Sequence, residues 1–238
     1  MSGGRAPGRT WATVWTSRAP LPTATTSVGD LIRADGFDTP YSSPATDAFV
    51  EYVHRWSKRL ALTEGSSVYE VGCGAGAFLV HLASAGATIG GCDLAPRLVE
   101  LARRALPGAD LTVVEATAMP EEPLYDVVIA HGVFAYFPDE DYASRVVARM
   151  AAKASRSVAV MDVPDVRWQE EEMRQRVRLF GNAESYRREY EGLDQRAYGQ
   201  EWFTGVLLEQ GMREVSFVDE PLPGRAGPST RFSVVATR

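Results

Sequence analysis

Apolar and polar positions alternate along most of this chain in two periods that take turns. Ala45, Phe49, Val53, Trp56 and Leu60 recur at the spacing of one helical face. Ser43 stands where an N-cap belongs, and Pro44 where a first helical turn needs no N–H. After Glu64 and Gly65 the period shortens, and residues 68–71 predict a strand that runs into a glycine-rich turn. Phe78, Leu79 and Leu82 then mark a helix that Gly86 closes. Residues 88–92 predict a second strand ending at Asp93, and Leu98, Val99, Leu101, Ala102 and Ala105 the next helix. Residues 111–114 and 126–130 predict strands three and four. Pro138-Asp139-Glu140-Asp141 places acids at the positive end of a helix whose core face is Tyr142, Val146, Val147 and Met150. Strand five covers 158–161 and ends at Asp162. Strands alternating with helices at these lengths predict an α/β fold with a parallel, doubly wound sheet.

The rhythm breaks over 164–200, a charged stretch in which Glu170, Glu171 and Glu172 face Arg174, Arg176 and Arg178, with Trp168, Tyr186, Tyr190 and Tyr198 among them. A helix from Glu201 carries Trp202, Phe203, Val206 and Leu207 and ends at Gly211. Residues 215–218 and 232–236 are the last two strands. The Pro- and Gly-rich gap between them leaves no room for a helix, so they are expected to pair antiparallel. Residues 1–29 show neither period and read as a flexible or loosely docked arm, although Trp11 and Trp15, four apart, need a surface to pack on. The expected organisation is an arm over 1–29 and one domain over 30–238, with an insertion at 164–200 that serves as a lid over substrate.

The 238 residues suffice for one domain with a buried core. A net charge of −6 argues against a protein that coats nucleic acid, which needs a basic face. No apolar run approaches the roughly 20 residues of a membrane span, and the N-terminus has no apolar segment of a secretory signal. With two cysteines, Cys73 and Cys92, a cytoplasmic protein with reduced thiols is expected. Of the basic residues only Lys58 and Lys153 are lysine, a skew that marks a GC-rich bacterial genome and carries no chemistry.

The chemistry concentrates in Glu70-Val71-Gly72-Cys73-Gly74-Ala75-Gly76, which follows a strand and opens a helix. Glycines there let the backbone turn sharply and approach a ligand. Asp93 ends the next strand 21 positions beyond Gly72, where carboxylates hydrogen-bond ribose hydroxyls. A ribose-bearing cofactor is therefore expected at the carboxyl ends of the first two strands. The spacing is G-x-G-x-G, which counts against the G-x-G-x-x-G of nicotinamide enzymes. It resembles motif I of the class I methyltransferases, E/D-x-G-x-G-x-G. The resemblance continues through Asp93, Glu115-Ala116 and the strand at Tyr125-Asp126-Val127-Val128, and covers roughly residues 44–163. It implies a Rossmann-like fold: a seven-stranded, mostly parallel sheet with an antiparallel last strand and helices on both faces. It also implies S-adenosyl-L-methionine (SAM) as cofactor, with the loop under its methionine and ribose parts and the pair after strand three at the adenine. Carried over, those roles fall on Glu70, Gly72, Cys73, Gly74, Gly76, Asp93, Leu94, Glu115 and Ala116. That family often has Asp-Ala at the adenine position, so Glu115 is a departure.

Methyl transfer is an in-line displacement, and the protein has to align the reactants and take up a proton where one is released. His131 ends strand four at the edge where ligands bind, which makes it a candidate base or part of the cofactor wall. Asp162, at the end of strand five, is the second catalytic candidate. With Asp165 these residues are too loosely spaced to predict a metal site. His54 lies off the apolar stripe and is expected to face solvent, while His81, Cys73 and Cys92 read as structural. Tyr41, Tyr186 and Tyr190 are the candidates for contact with substrate. The expected activity is methylation of a small-molecule acceptor, such as a bacterial secondary metabolite, without nucleic-acid or membrane partners. The alternatives are a protein or RNA methyltransferase, which would need a basic or extended groove, and a SAM-binding protein without catalysis.

Overall fold

Along the central strands alternate side chains face opposite ways, and each side carries its own set of helices. The computed structural model describes residues 9–18 and 27–238. Its strands are β1 (Ser67–Val71), β2 (Thr88–Asp93), β3 (Asp110–Val113), β4 (Tyr125–His131), β5 (Ala154–Pro164), β6 (Glu214–Val218) and β7 (Arg231–Thr237). They form one sheet in the order β3-β2-β1-β4-β5-β7-β6, with β1 to β5 pairing in parallel and β7 antiparallel to both of its neighbours.

The helices are α1 (Trp11–Ser17), α2 (Val28–Ala34), α3 (Thr46–Arg59), α4 (Leu79–Ser84), α5 (Pro96–Ala105), α6 (Glu140–Lys153), α7 (Gln169–Leu179), α8 (Ala183–Glu189) and α9 (Gln200–Glu209). On one face Val68, Val127, Ile129 and Met161 pack with Phe49, Val53 and Trp56 of α3, Leu79 and Leu82 of α4, and Leu98 of α5. On the other, Val71, Val128, Ala130 and Val160 pack with Val146, Val147 and Met150 of α6 and with Phe203 and Leu207 of α9. Both faces of the sheet are thus dry, as a parallel sheet requires.

Several local expectations need correction. Helix α3 starts two residues later than its apolar stripe suggests: Ala45, exposed and without a side-chain bond, is its N-cap. Ser43 instead donates its backbone N–H to the carbonyl of Gly224, tying this segment to the loop before β7. Strand β5 is longer than its apolar run and bulges between Val160 and Val163. The described part of the arm is not loosely attached. Thr10 caps α1, Trp11 donates its indole N–H to the carbonyl of Asp194 at 2.7 Å, and both tryptophans pack on Tyr136. Helix α2, capped by a reciprocal pair between Ser27 and Asp30, runs across the expected boundary at 29/30. Among the described residues no helix is long and apolar enough to cross a membrane.

Strand β2 carries Gly90 where two aromatic rings close over it. A Cβ there would lie 2.2 Å from the Tyr125 hydroxyl and 2.8 Å from a Tyr69 ring carbon. Gly90→Ala is therefore expected to destabilise the fold by about 1–3 kcal/mol through overpacking. Urea denaturation checks this, and an unchanged midpoint contradicts the packing.

Candidate functional site

Strands β1, β2, β4 and β5 all end at one edge of the sheet, and a cavity of about 1260 Å³ opens there. Beyond β1 the chain turns through Gly72 (φ 75°) and Gly74 (φ 52°), a conformation that disfavours side chains. Space forbids them as well: a Cβ on Gly72 would lie 2.8 Å from Val133, and one on Gly74 2.1 Å from the Asp35 carboxylate. Gly76 does not reach the cavity. It packs against Ala102 and Leu106, holding the loop to α5. Asp93 is fixed by two backbone donors, Gly74 N–H to Oδ2 at 2.9 Å and Ala95 N–H to Oδ1 at 2.8 Å. Asp35, just past α2, accepts from the N–H groups of Ala75 and Ala77 at 2.5 and 3.1 Å. Glu70 is buried, and its Oε2 has no partner among the described residues.

Three carboxylates therefore face one cavity. Burial raises the Asp35 pKa, the two backbone bonds oppose it and Asp93 adds repulsion, leaving it at about 7. Glu70 is pushed well above the carboxylate range by burial and then by Asp35 and Asp93. Asp93 is raised by burial and held back by the N–H groups of Ala95, Gly74 and Leu94. An arrangement of this kind favours a cationic ligand. Further along the wall lie Leu94, Glu115 and Ala116, with the Tyr142 hydroxyl donating to Glu115 Oε2 at 2.8 Å. Cys73 and Cys92 are free and buried, and burial drives both thiols up, Cys92 to about 11, so neither supplies a thiolate.

At the end of β4 the His131 ring lies among Phe37, Phe49 and Phe78, its Nε2 3.4 Å from the Tyr52 hydroxyl. Burial lowers its pKa to about 4; Asp162 opposes that shift, while Arg225 and Arg231 reinforce it. The ring is thus neutral at physiological pH. Asp162 has a left-handed backbone (φ 59°) at the β5 bulge, and its Oδ2 takes Arg225 at 2.5 Å and Arg231 at 3.3 Å. Tyr41 lies on the same wall, its ring under Arg176 and Arg225. Tyr190 also lines the cavity. Tyr186 does not: it stacks behind Tyr190, ring centroids 4.9 Å apart. His54 is exposed. Sequence reasoning passed over Tyr52, Asp35 and the three arginines. Tyr52 lies three residues after Phe49 on the α3 core face, so the helical period contains it. The others have no local signal, because residues far apart in the chain bring them to the cavity.

Residues 68–154 match the family model described as a methyltransferase domain. Over that stretch, from β1 to the start of β5, the chain is similar to a methyltransferase domain. A ubiquinone biosynthesis O-methyltransferase of Bordetella avium (strain 197N) is 35% identical over 104 residues. That stretch is 40% of this chain and 42% of the relative, so the chain matches less than half of the relative's length. The fold resembles magnesium protoporphyrin IX methyltransferase (ChlM) from Synechocystis PCC 6803 with bound S-adenosylhomocysteine (SAH). The TM-score is 0.57 at 19% identity, covering 89% of this chain and 97% of the other. N-methyltransferase NodS from Bradyrhizobium japonicum WM9 in complex with SAH gives 0.59 at 16%, covering 90% and 97%. At such identities these likenesses carry the architecture of the methyltransferase domain.

SAM has a net charge of +1, from its sulfonium, ammonium and carboxylate groups, so its binding favours the ionised form of the acids around the glycine loop. With Asp35 half-protonated near about pH 7 in the free domain, SAM binding is expected to release protons, and affinity to rise between about pH 6 and 8. Calorimetry in buffers of different ionisation enthalpy measures this. Asp35→Asn should flatten the pH dependence, and a slope unchanged by that substitution assigns the protons to other groups.

Proposed function

We propose that this chain is an enzyme that transfers the methyl group of SAM to a small-molecule acceptor, a bacterial secondary metabolite being the class it suits. One observation carries the reading: a single cavity holds the glycine loop and Asp93 at one end and His131 with an arginine-rich wall at the other. A volume of about 1260 Å³ accommodates a cofactor and an acceptor together. The residues fit SAM. Gly72 and Gly74 leave bare backbone where any side chain would collide, Asp93 is preset for ribose hydroxyls, and Glu70 has a buried oxygen without a partner. In this reading Glu70 and Asp35 meet the positive charge of the donor, Cys73, Leu94, Glu115 and Ala116 wall the adenosine, and Gly76 supports the loop from behind.

When bound, SAM supplies an electrophilic methyl group on a positively charged sulfur. The chain then has to place the acceptor, exclude water and take up a proton. Residues 164–200 serve as the cover. Arg196 donates from its backbone N–H to Ala135 and from its side chain to Pro138, which pins the far side of the segment against the loop after β4. Tyr41 and Tyr190 offer aromatic walls to the acceptor, with Tyr186 bracing Tyr190. His131 is the proton acceptor. The neutral ring keeps one nitrogen lone pair free at pH 7, and Asp162 favours the imidazolium that protonation forms, against burial and the arginines. Asp162, engaged by two guanidinium groups, acts as a positioning residue. The same reading puts the enzyme in the cytoplasm with both thiols reduced.

Methyl-labelled SAM incubated with the protein and a cell extract tests the proposal. Label should appear in the small-molecule fraction. Label in protein or RNA, or SAM binding with no transfer at all, sinks it. Asp93→Ala should weaken SAM binding roughly tenfold or more, about 1.5–3 kcal/mol for a charge-assisted bond, by calorimetry on the folded variant. His131→Ala should lower turnover at saturating SAM by roughly 10²-fold or more while SAM affinity stays within about twofold. A loss of affinity with turnover intact makes His131 a wall residue and nothing more.

A further inference from the structure

At the β5 end of the cavity five charged side chains are packed out of water. Arg176, Arg225 and Arg231 come from α7, the loop before β7 and β7 itself, and Asp162 and Glu172 from β5 and α7. Every one of these side chains is at most 8% exposed. Glu172 bridges Arg176 at 2.9 Å and Arg231 at 2.7 Å and takes the Thr230 hydroxyl on its other oxygen. Burial opposes its ionisation, but Arg231 and Arg176 outweigh burial and hold it down to about 2. Arg231 is held protonated by Asp162 and Glu172 against its burial. Both acids are ion-paired to guanidinium groups, and the cluster sets three cationic side chains against two acidic ones.

The surplus has a location. Glu172 is saturated by Arg176, Arg231 and Thr230, and Arg231 uses both terminal nitrogens on acids. Among the described residues Arg225 has one ionic partner, Asp162, and Arg176 has one, Glu172, and each shares its acid with Arg231. The Nε atoms of Arg225 and Arg231 and the Tyr41 hydroxyl beneath the Arg225 guanidinium are buried with no hydrogen-bond partner among the described residues. Arg176, Arg225, Arg231, Asp162 and Tyr41 all line the cavity. A buried unbalanced charge is costly unless an ion completes it.

We infer that Arg225, with Arg176 and Tyr41, forms an anchor for a carboxylate on the methyl acceptor. The inference rests on the proposed function and adds the chemical class of its substrate. A single negative charge closes the imbalance, whereas a phosphate dianion overshoots it, and a planar carboxylate suits a guanidinium donor. The cavity is then polarised end to end: acids at the glycine loop for a cationic donor, guanidinium groups opposite for an anionic acceptor. The anchored carboxylate is neutralised and is a poor nucleophile, so the methyl group goes to another atom of the acceptor, toward His131. Gly132, the residue after His131, lines the same cavity, and an added Cβ there would fall 3.8 Å from the Asp162 carboxylate.

The test uses the full chain loaded with SAH and two matched probes, 4-hydroxybenzoate and 4-hydroxybenzamide, with binding read by ligand-observed NMR and calorimetry. The acid should bind roughly tenfold tighter than the amide. Arg225→Gln should erase that preference, and Arg225→Lys should keep part of it, with SAH affinity and thermal unfolding checked for each variant. If Arg225→Gln fails to fold, Arg176→Gln provides the same comparison. Equal binding of acid and amide, or a preference that survives both substitutions, overturns the inference. So does a methyl ester formed on the acid probe under turnover with SAM. Retained preference for the acid in a protein that transfers no methyl group to any small molecule rejects the proposed function and leaves the anchor standing.

Discussion

Charge that has been taken out of water is the constraint around which this molecule is arranged. The sheet itself is neutral and dry on both faces, held by valines, leucines and aromatic rings. Among the described residues the buried acids and arginines collect where the parallel strands stop, while Lys153 is buried at the opposite end. Burial raises the pKa values of Glu70, Asp35 and Asp93, and repulsion adds to the shift at Glu70 and Asp35. Asp162 and Glu172 keep their charge because guanidinium groups enclose them. The two groups solve the same desolvation problem in opposite ways. One awaits a cation, and the other already contains most of its counterions.

The position of β7 makes the second solution workable. Running antiparallel beside β5, it brings Arg231 directly opposite Pro164, two residues beyond Asp162. The bulge in β5 turns Asp162 into a left-handed conformation, with its N–H on the Ser233 hydroxyl and its carbonyl on Arg231. Strain at such a residue persists only where the surroundings fix it on several sides. Here the neighbouring strand, through Arg231 and Ser233, and the loop that carries Arg225 do so.

What the sequence disclosed and what it withheld follow from how far apart the interacting residues lie. The strand, glycine turn and helix around residues 68–86 form a contiguous signal, and Asp93 comes at a fixed distance from it, so the cofactor end of the cavity was readable. The antiparallel final pair followed from a gap too poor in helix formers to support a crossover. Helix α3 was placed correctly but entered too early, because its first apparent core position, Ala45, belongs to the cap. Asp35 escaped notice because nothing near it in the chain marks it; its partners are the N–H groups of Ala75 and Ala77, forty residues on. Arg225 sits in a Pro- and Gly-rich loop that reads as a connector, and its significance appears only when Asp162 is found beside it. The seating of residues 11–17 has the same origin: Trp11 and Trp15 need a surface, but Tyr136, Tyr190 and the Asp194 carbonyl that supply it are far away in the sequence, and residues 1–8 and 19–26 of the expected arm lie outside the described residues.

Helix α1 makes part of the cavity wall conditional on contacts between distant parts of the chain. It has seven residues, about half the length at which an isolated helix begins to persist in water. Its shape is therefore borrowed from the surface it rests on, chiefly the rings of Tyr136 and Tyr190 and one carbonyl of the covering segment. When that contact opens, the helix melts, and when it re-forms, two segments nearly two hundred residues apart in sequence must order together. Since Trp11, Val14 and Trp15 are part of the cavity wall, that side of the cavity is closed by an element whose shape depends on its contacts.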